Sequence, residues 1–67
     1  MYSQYAKLRD ERGYSDYLVS KKTGISASSL SDWKRGRYQI KLDKIMKLAD
    51  FFSVPVEELL GAEQEHD

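Results

Sequence analysis

The chain has 67 residues, 11 Lys and Arg against 11 Asp and Glu, no cysteine and one histidine. This length allows one small domain, and the lack of cysteine excludes disulfides, thiolate zinc sites and thiol chemistry. No run of about 18 apolar residues is present, and the N-terminal segment has no signal-peptide features. We therefore expect a soluble, cytoplasmic protein with no membrane partner. A formal net charge of zero argues against nucleic-acid binding only if the charges are evenly spread.

The charges are not evenly spread. Residues 21–47 hold eight Lys or Arg and two Asp, a net charge of +6, whereas residues 48–67 hold six acidic side chains and no Lys or Arg. A basic block of this kind meets the first requirement for electrostatic contact with nucleic acid. A solvated surface with an uneven charge is the alternative interpretation.

Helical periodicity divides the chain into five segments, and no alternating stretch predicts a strand. The first segment ends at Gly13. The second begins at Ser15, a favourable N-cap residue, and ends at Gly24. The third begins at a second N-cap residue, Ser26, and runs to Gly36. The N-terminal half therefore predicts three short helices.

The last two segments lie in the C-terminal half. The fourth begins near Lys41 and carries the apolar residues Leu42, Ile45, Met46, Leu48, Ala49 and Phe52. The fifth begins at Pro55, which suits a first helical position, and closes at Gly61. We expect an all-α domain over residues 1–61 and a flexible acidic tail over residues 62–67.

The second and third segments are joined by a very short link that contains Gly24. A link of this kind makes two helices cross steeply, as in a helix-turn-helix. Projected at about 100° per residue, the third segment places Leu30 and Trp33 on one face and short polar side chains on the other. That polar face, followed by Lys34-Arg35-Gly36-Arg37, suits contact with another macromolecule. Ordinary serine capping, with cations that complement the helix dipole, is the alternative.

Two patterns, over residues 15–36 and 42–61, carry a resemblance that extends over about residues 3–61. The first is Ser15-x-x-x-Val19-Ser20-x-x-Thr23-Gly24-Ile25-Ser26-x-Ser28-x-Leu30-x-x-Trp33-Lys34-x-Gly36. The second is Leu42-x-x-Ile45-Met46-x-Leu48-Ala49-x-x-Phe52-x-Val54, followed by Glu58-Leu59-Leu60-Gly61. Together they resemble the lambda-repressor-like DNA-binding domains of phage repressors, Cro proteins and xenobiotic-response-element-type bacterial regulators. The resemblance implies a compact five-helix fold whose helix-turn-helix is formed by helices 2 and 3, with helix 3 entering the major groove.

The resemblance also implies functional positions. Bases would be contacted by Ala27, Ser28, Ser31 and Asp32. Phosphates would be contacted by the N-terminus of helix 2 and by Ser26, Arg35, Arg37, Tyr38 and Lys41. The expected dimer surface contains Val56, Leu59 and Leu60. The alternative is that Leu59 and Leu60 belong entirely to the intramolecular core.

Three positions depart from the family pattern. Asp16 stands where the family often has Gln, and a carboxylate beside a phosphate is unfavourable, so we expect Asp16 to cap its own helix. Lys34 stands where the family often has a Glu paired with an Arg that matches Arg9, so Arg9 needs another partner. Lys41 opposes the dipole at the start of helix 4, which either reflects a facing phosphate or is a tolerated poor cap.

The sequence thus predicts a sequence-specific regulator that binds double-stranded DNA and acts, as a repressor, through a homodimer on a pseudo-palindromic operator, in the cytoplasm and on the nucleoid. The alternative is a protein-interaction module of the same fold, antitoxin-like or coactivator-like. No constellation of catalytic residues is present, and no metal, cofactor or small-molecule ligand is expected. Trp33 is expected in the core rather than as a base-stacking platform, and Tyr2 and Tyr17 on the surface.

Overall fold

A computed structural model describes the backbone of residues 1–64 and the side chains of residues 1–60. Within that part of the chain there are five helices and no strand: α1 (Tyr2–Glu11), α2 (Asp16–Thr23), α3 (Ala27–Lys34), α4 (Leu42–Phe52) and α5 (Val56–Gln64). The predicted all-α, five-helix fold is therefore confirmed.

The helix boundaries follow local signals. The Ser15 hydroxyl accepts a hydrogen bond from the Leu18 amide at 3.1 Å, and the Ser26 hydroxyl accepts one from the Ser29 amide at 3.0 Å. Gly24 ends α2 in the left-handed conformation with φ of +81°, which an L side chain rarely adopts. These three residues fix the ends of α2 and the start of α3, as predicted.

One C-terminal boundary was not predicted and another differs from the prediction. The C-cap of α4 is Ser53, a non-glycine residue with φ of 59°, and the sequence analysis gave no end for this helix. α5 does not stop at Gly61 but continues to Gln64, three residues into the segment predicted as a tail. The last three residues of that segment lie outside the described part of the chain.

An aromatic cluster forms the centre of the core. The Tyr5 ring lies 5.4 Å from Trp33 and 6.1 Å from Phe52, centroid to centroid, so it joins α1 to α3 and α4. Trp33 is 8% exposed, which confirms its expected place in the core. The prediction that Tyr2 lies on the surface is wrong, because its half-buried ring packs edge-on against Trp33 at 5.2 Å. Tyr17 is on the surface, as expected, and is 69% exposed.

Helix α4 buries a narrower apolar face than expected. Ile45, Leu48 and Phe52 are buried, whereas Leu42 and Met46 are 59% and 56% exposed. At about 100° per residue, the two exposed residues lie roughly 70° and 110° from the centre of the buried face. The helical projection of α4 therefore contained the signal that would have placed them outside the core.

Three side chains join α1 to the first residue of α2. The Tyr5 hydroxyl donates to Asp16 Oδ1 at 2.5 Å, and Arg9 Nη1 donates to the same oxygen at 2.9 Å. The prediction that Asp16 caps α2 is wrong, because Ser15 is the cap and the Asp16 carboxylate accepts hydrogen bonds from α1. We call Tyr5, Arg9 and Asp16 the α1–α2 junction.

Candidate nucleic-acid interface

The turn between α2 and α3 consists of Gly24, Ile25 and Ser26. The Thr23 hydroxyl donates to the Val19 carbonyl at 2.8 Å and accepts from the Ile25 amide at 3.2 Å, so it connects the last turn of α2 to the link. The Ile25 side chain is 2% exposed and packs in the core. Both contacts restrain the link, which holds α3 at a defined position relative to α2.

Helix α3 has two faces of different character. Leu30 and Trp33 point into the core and are 1% and 8% exposed. On the opposite side, Ala27 and Ser28 are exposed and Ser31 and Asp32 are half-buried. The four residues predicted to contact bases thus lie together on the side of α3 that faces away from Leu30 and Trp33, which we call its uncovered face, although Ser31 and Asp32 are half-buried there. Their side chains are short, so another surface can approach the helix backbone closely.

Three hydrogen bonds restrict the serine hydroxyl groups of α3 and its N-cap. The Ser26 hydroxyl accepts from the Ser29 amide and donates to Ser29 Oγ at 2.9 Å, so its proton is engaged within the helix. Arg35 Nη1 donates to Ser31 Oγ at 2.5 Å. The Arg35 guanidinium therefore lies over the last turn of α3 rather than extending away from the helix end.

The loop after α3 carries the remaining predicted phosphate contacts. The Arg37 amide donates to the Asp32 carbonyl at 2.8 Å, which folds the loop back against the end of α3. The Arg37 side chain is exposed, Tyr38 is half-buried against the core, and Lys41 is exposed at the N-cap of α4. Lys41 makes no side-chain cap hydrogen bond, because an ammonium group has only donors and cannot accept from a backbone amide.

The α1–α2 junction supplies the partner that Arg9 was expected to need. Arg9 Nε donates to Asp10 at 2.9 Å and Arg9 Nη1 donates to Asp16, and these bonds raise the pKa of the guanidinium above its ordinary value. Burial raises the pKa of the Tyr5 hydroxyl, and its hydrogen bond to Asp16 raises that pKa further. Lys34 is exposed on α3.

The predicted dimer residues separate into two groups. Leu59 is 1% exposed and lies in the core, which is one of the two places that the sequence left open for it. Val56 and Leu60 are half-buried and pack against the edge of the core. The part of this surface that another molecule can reach therefore involves Val56 and Leu60, not Leu59.

Comparison with protein families matches residues 6–59 to a family described as Helix-turn-helix, of the lambda-repressor-like Cro/CI type. The chain belongs to this family. Comparison with curated proteins and with solved structures gives no significant match. This helix-turn-helix family is one of DNA-binding regulatory domains and not a family of enzymes.

Two further observations concern the helix-turn-helix domain as a whole. No helix in the described residues is both long and apolar enough to cross a membrane. In the same part of the chain, no three His, Cys, Asp or Glu side chains are grouped as a metal site would require.

The sequence analysis did not predict two features of α3 and its neighbourhood. One is the Ser31–Arg35 hydrogen bond, although the spacing of four residues on a helix signals such a pair. The other is the role of Asp16, which depends on a tyrosine from another helix and has no local signal.

Proposed function

We propose that this protein is a transcriptional regulator, acting as a repressor, that binds double-stranded DNA sequence-specifically by placing α3 in the major groove. The observation that carries the proposal is the construction of α3. Its bulky residues, Leu30 and Trp33, are buried, while its other face is uncovered, short and polar and leads into an exposed basic loop. A short polar helix face beside cations suits the groove edges and the phosphates at the same time.

The base contacts in this proposal come from four neighbouring positions. The Ala27 methyl group meets a thymine methyl, Ser28 and Ser31 exchange hydrogen bonds with base edges, and Asp32 accepts from a cytosine amino group. All four lie on the uncovered side of α3. Because these side chains are short, they read bases only if the helix sits deep in the groove.

The depth and register of α3 are set by contacts to phosphates. Arg37 and Lys41 are exposed cations that flank α3 and α4, and Tyr38 lies between them with its hydroxyl as a further donor. Ser26 contributes once its hydroxyl turns away from Ser29. These groups recognise the shape and charge of the backbone and not its sequence.

The proposal includes a homodimer on a pseudo-palindromic operator. One helix as short as α3 makes few base contacts, so useful affinity requires two half-sites about one helical turn, or roughly 34 Å, apart. Val56 and Leu60 are the half-buried apolar residues on α5 that a second copy can cover. Such a regulator works in the cytoplasm, on the nucleoid.

One observation favours a second candidate, a protein-interaction module of the same fold. Leu42 and Met46, four residues apart on α4, are both more than half exposed. Large apolar side chains at this spacing form a face that a partner protein can cover. In this candidate the partner protein binds to α4 and not to α3.

Titration of a genomic fragment library with the purified protein at two salt concentrations separates the candidates. The regulator binds some fragments in preference to bulk DNA, and its affinity falls as salt rises because phosphate contacts release counterions. If no fragment is preferred and salt has no effect, the regulator proposal fails and the interaction module stands. With its net charge of zero, the protein should bind bulk DNA only modestly.

A further inference from the structure

Arg35 occupies an unusual position for a residue expected to contact phosphate. Its backbone amide donates to the Ser31 carbonyl at 3.2 Å, so the helical hydrogen-bond register of α3 continues through it. At about 100° per residue, Arg35 therefore projects between Ser31 and Ser28, in the middle of the uncovered face of α3. It is the long side chain on a face otherwise made of short ones.

The Arg35 side chain also lies over this face. Helical side chains lean toward the N-terminus, and Arg35 Nη1 reaches back one turn to donate to Ser31 Oγ at 2.5 Å. The described residues form two ion pairs, and both involve Arg9. Arg35 therefore does not pair with Asp32, which lies three positions earlier on α3. The guanidinium of this exposed residue is therefore held by Ser31 and pairs with no carboxylate among residues 1–60.

The remaining hydrogen-bonding groups at this end of α3 have a defined chemistry. A guanidinium has five N–H donors in a planar fork, and the bond to Ser31 uses one of them. A pair of the others matches guanine O6 and N7 in the major groove, the commonest base-specific contact in protein–DNA complexes. The Ser31 hydroxyl accepts from Arg35 and so presents its own proton to an acceptor on a base. Asp32, beside them, accepts from a cytosine amino group.

We propose that Arg35, held over α3 by Ser31, reads a guanine in the operator and does not merely contact phosphate as the family resemblance implies. The proposal rests on the proposed DNA-binding function and specifies the base that it recognises. Ser31 acts as a positioning residue, because fixing the guanidinium beforehand reduces the side-chain freedom lost on binding. Arg37 remains a phosphate contact in this proposal, since it belongs to the loop beyond α3 and not to the helix.

The test is selection of binding sites from a randomised double-stranded DNA library, followed by affinity measurements on the selected site and its single-base variants. The proteins are wild type, Arg35→Gln, Ser31→Ala and, as the matched control, Arg37→Gln. Wild type should select a half-site with a fixed guanine. Arg35→Gln should lose about 5- to 150-fold of discrimination at that position alone, the range of one bidentate contact.

The other two variants separate positioning and phosphate roles. Ser31→Ala should keep the guanine preference but reduce it, while Arg37→Gln should weaken binding to every sequence and leave the preference intact. The proposal is overturned if Arg35→Gln lowers affinity equally for all sequences, as a phosphate contact would, or if the wild-type site has no position whose base preference depends on Arg35. A wild-type protein that selects no sequence contradicts the regulator proposal itself, which is a different result.

Discussion

The α1–α2 junction and the uncovered face of α3 use charged side chains in opposite ways. At the junction, the Arg9 guanidinium contacts two carboxylates, and Asp16 accepts from Tyr5 as well. Around α3, the cations Lys34, Arg35, Arg37 and Lys41 take part in no ion pair among the described residues. The charged side chains of the junction pair with one another and hold α1 and α2 together. The cations around α3 stay available to a binding partner.

The protein presents these cations at zero net charge because residues 48–67 carry the balancing acidic side chains, six Asp or Glu with no Lys or Arg. Asp16 partners Arg9 at the start of α2, so the position on α3 that the family often gives to Glu is free to hold Lys34. Stability and binding are thereby assigned to separate sets of residues.

The largest expected effect is the loss of stability when the buried ring of Tyr5 is removed from the junction. Tyr5 is fully buried and its ring contacts Trp33 and Phe52, so Tyr5→Ala should lower the free energy of unfolding by about 3 to 5 kcal/mol. Urea denaturation followed by circular dichroism measures the loss. The matched control is Tyr17→Ala at a 69% exposed site, with an expected change below about 0.5 kcal/mol. Similar losses for both variants would show that the buried Tyr5 ring stabilises the fold no more than the exposed Tyr17 ring does.

A smaller effect is expected from the ion pairs. Arg9→Met keeps most of the side-chain volume but leaves Asp16 half-buried without its cation, so unfolding should become easier by about 1 to 3 kcal/mol. Lys34→Met is the matched control on α3 and should change stability by less than about 0.5 kcal/mol, because Lys34 is exposed. Equal destabilisation by the two variants would show that Lys34 also holds the fold together.

The smallest effect is expected from a single hydroxyl group. Tyr5→Phe keeps the ring in the core and removes the donor to Asp16 Oδ1, which should cost about 1 kcal/mol because water can partly replace it. In the Arg9→Met background the cost should change, since both donors share one oxygen. A double-mutant cycle by urea denaturation measures this coupling, and strict additivity would mean that the junction is not a unit.

The sequence predicts those features that depend on neighbouring residues. Ser15, Gly24 and Ser26 were correctly placed because capping and left-handed turns are local events. Trp33 was correctly placed because its periodicity with Leu30 defines a buried face.

The features that escaped prediction depend on contacts across the fold. Asp16 was expected to cap α2, and only the packing of α1 brings Tyr5 and Arg9 to its carboxylate. Leu42 and Met46 are a different case, because the helical projection of α4 already places them away from the centre of its buried face. Tyr2 was assigned to the surface because the ring of Trp33, which covers it, is distant in sequence.

The α1–α2 junction supports the fold, and we propose that the α3 region binds DNA. Measuring both the free energy of unfolding and the DNA affinity of Arg9→Met and Arg37→Gln separates these two roles. Arg37→Gln should leave unfolding unchanged, weaken binding to all sequences and reduce the slope of log affinity against log salt by about 1. Arg9→Met should ease unfolding and leave the affinity of the folded protein unchanged. If both variants lose stability and affinity together, the fold and the DNA contacts do not depend on separate sets of residues.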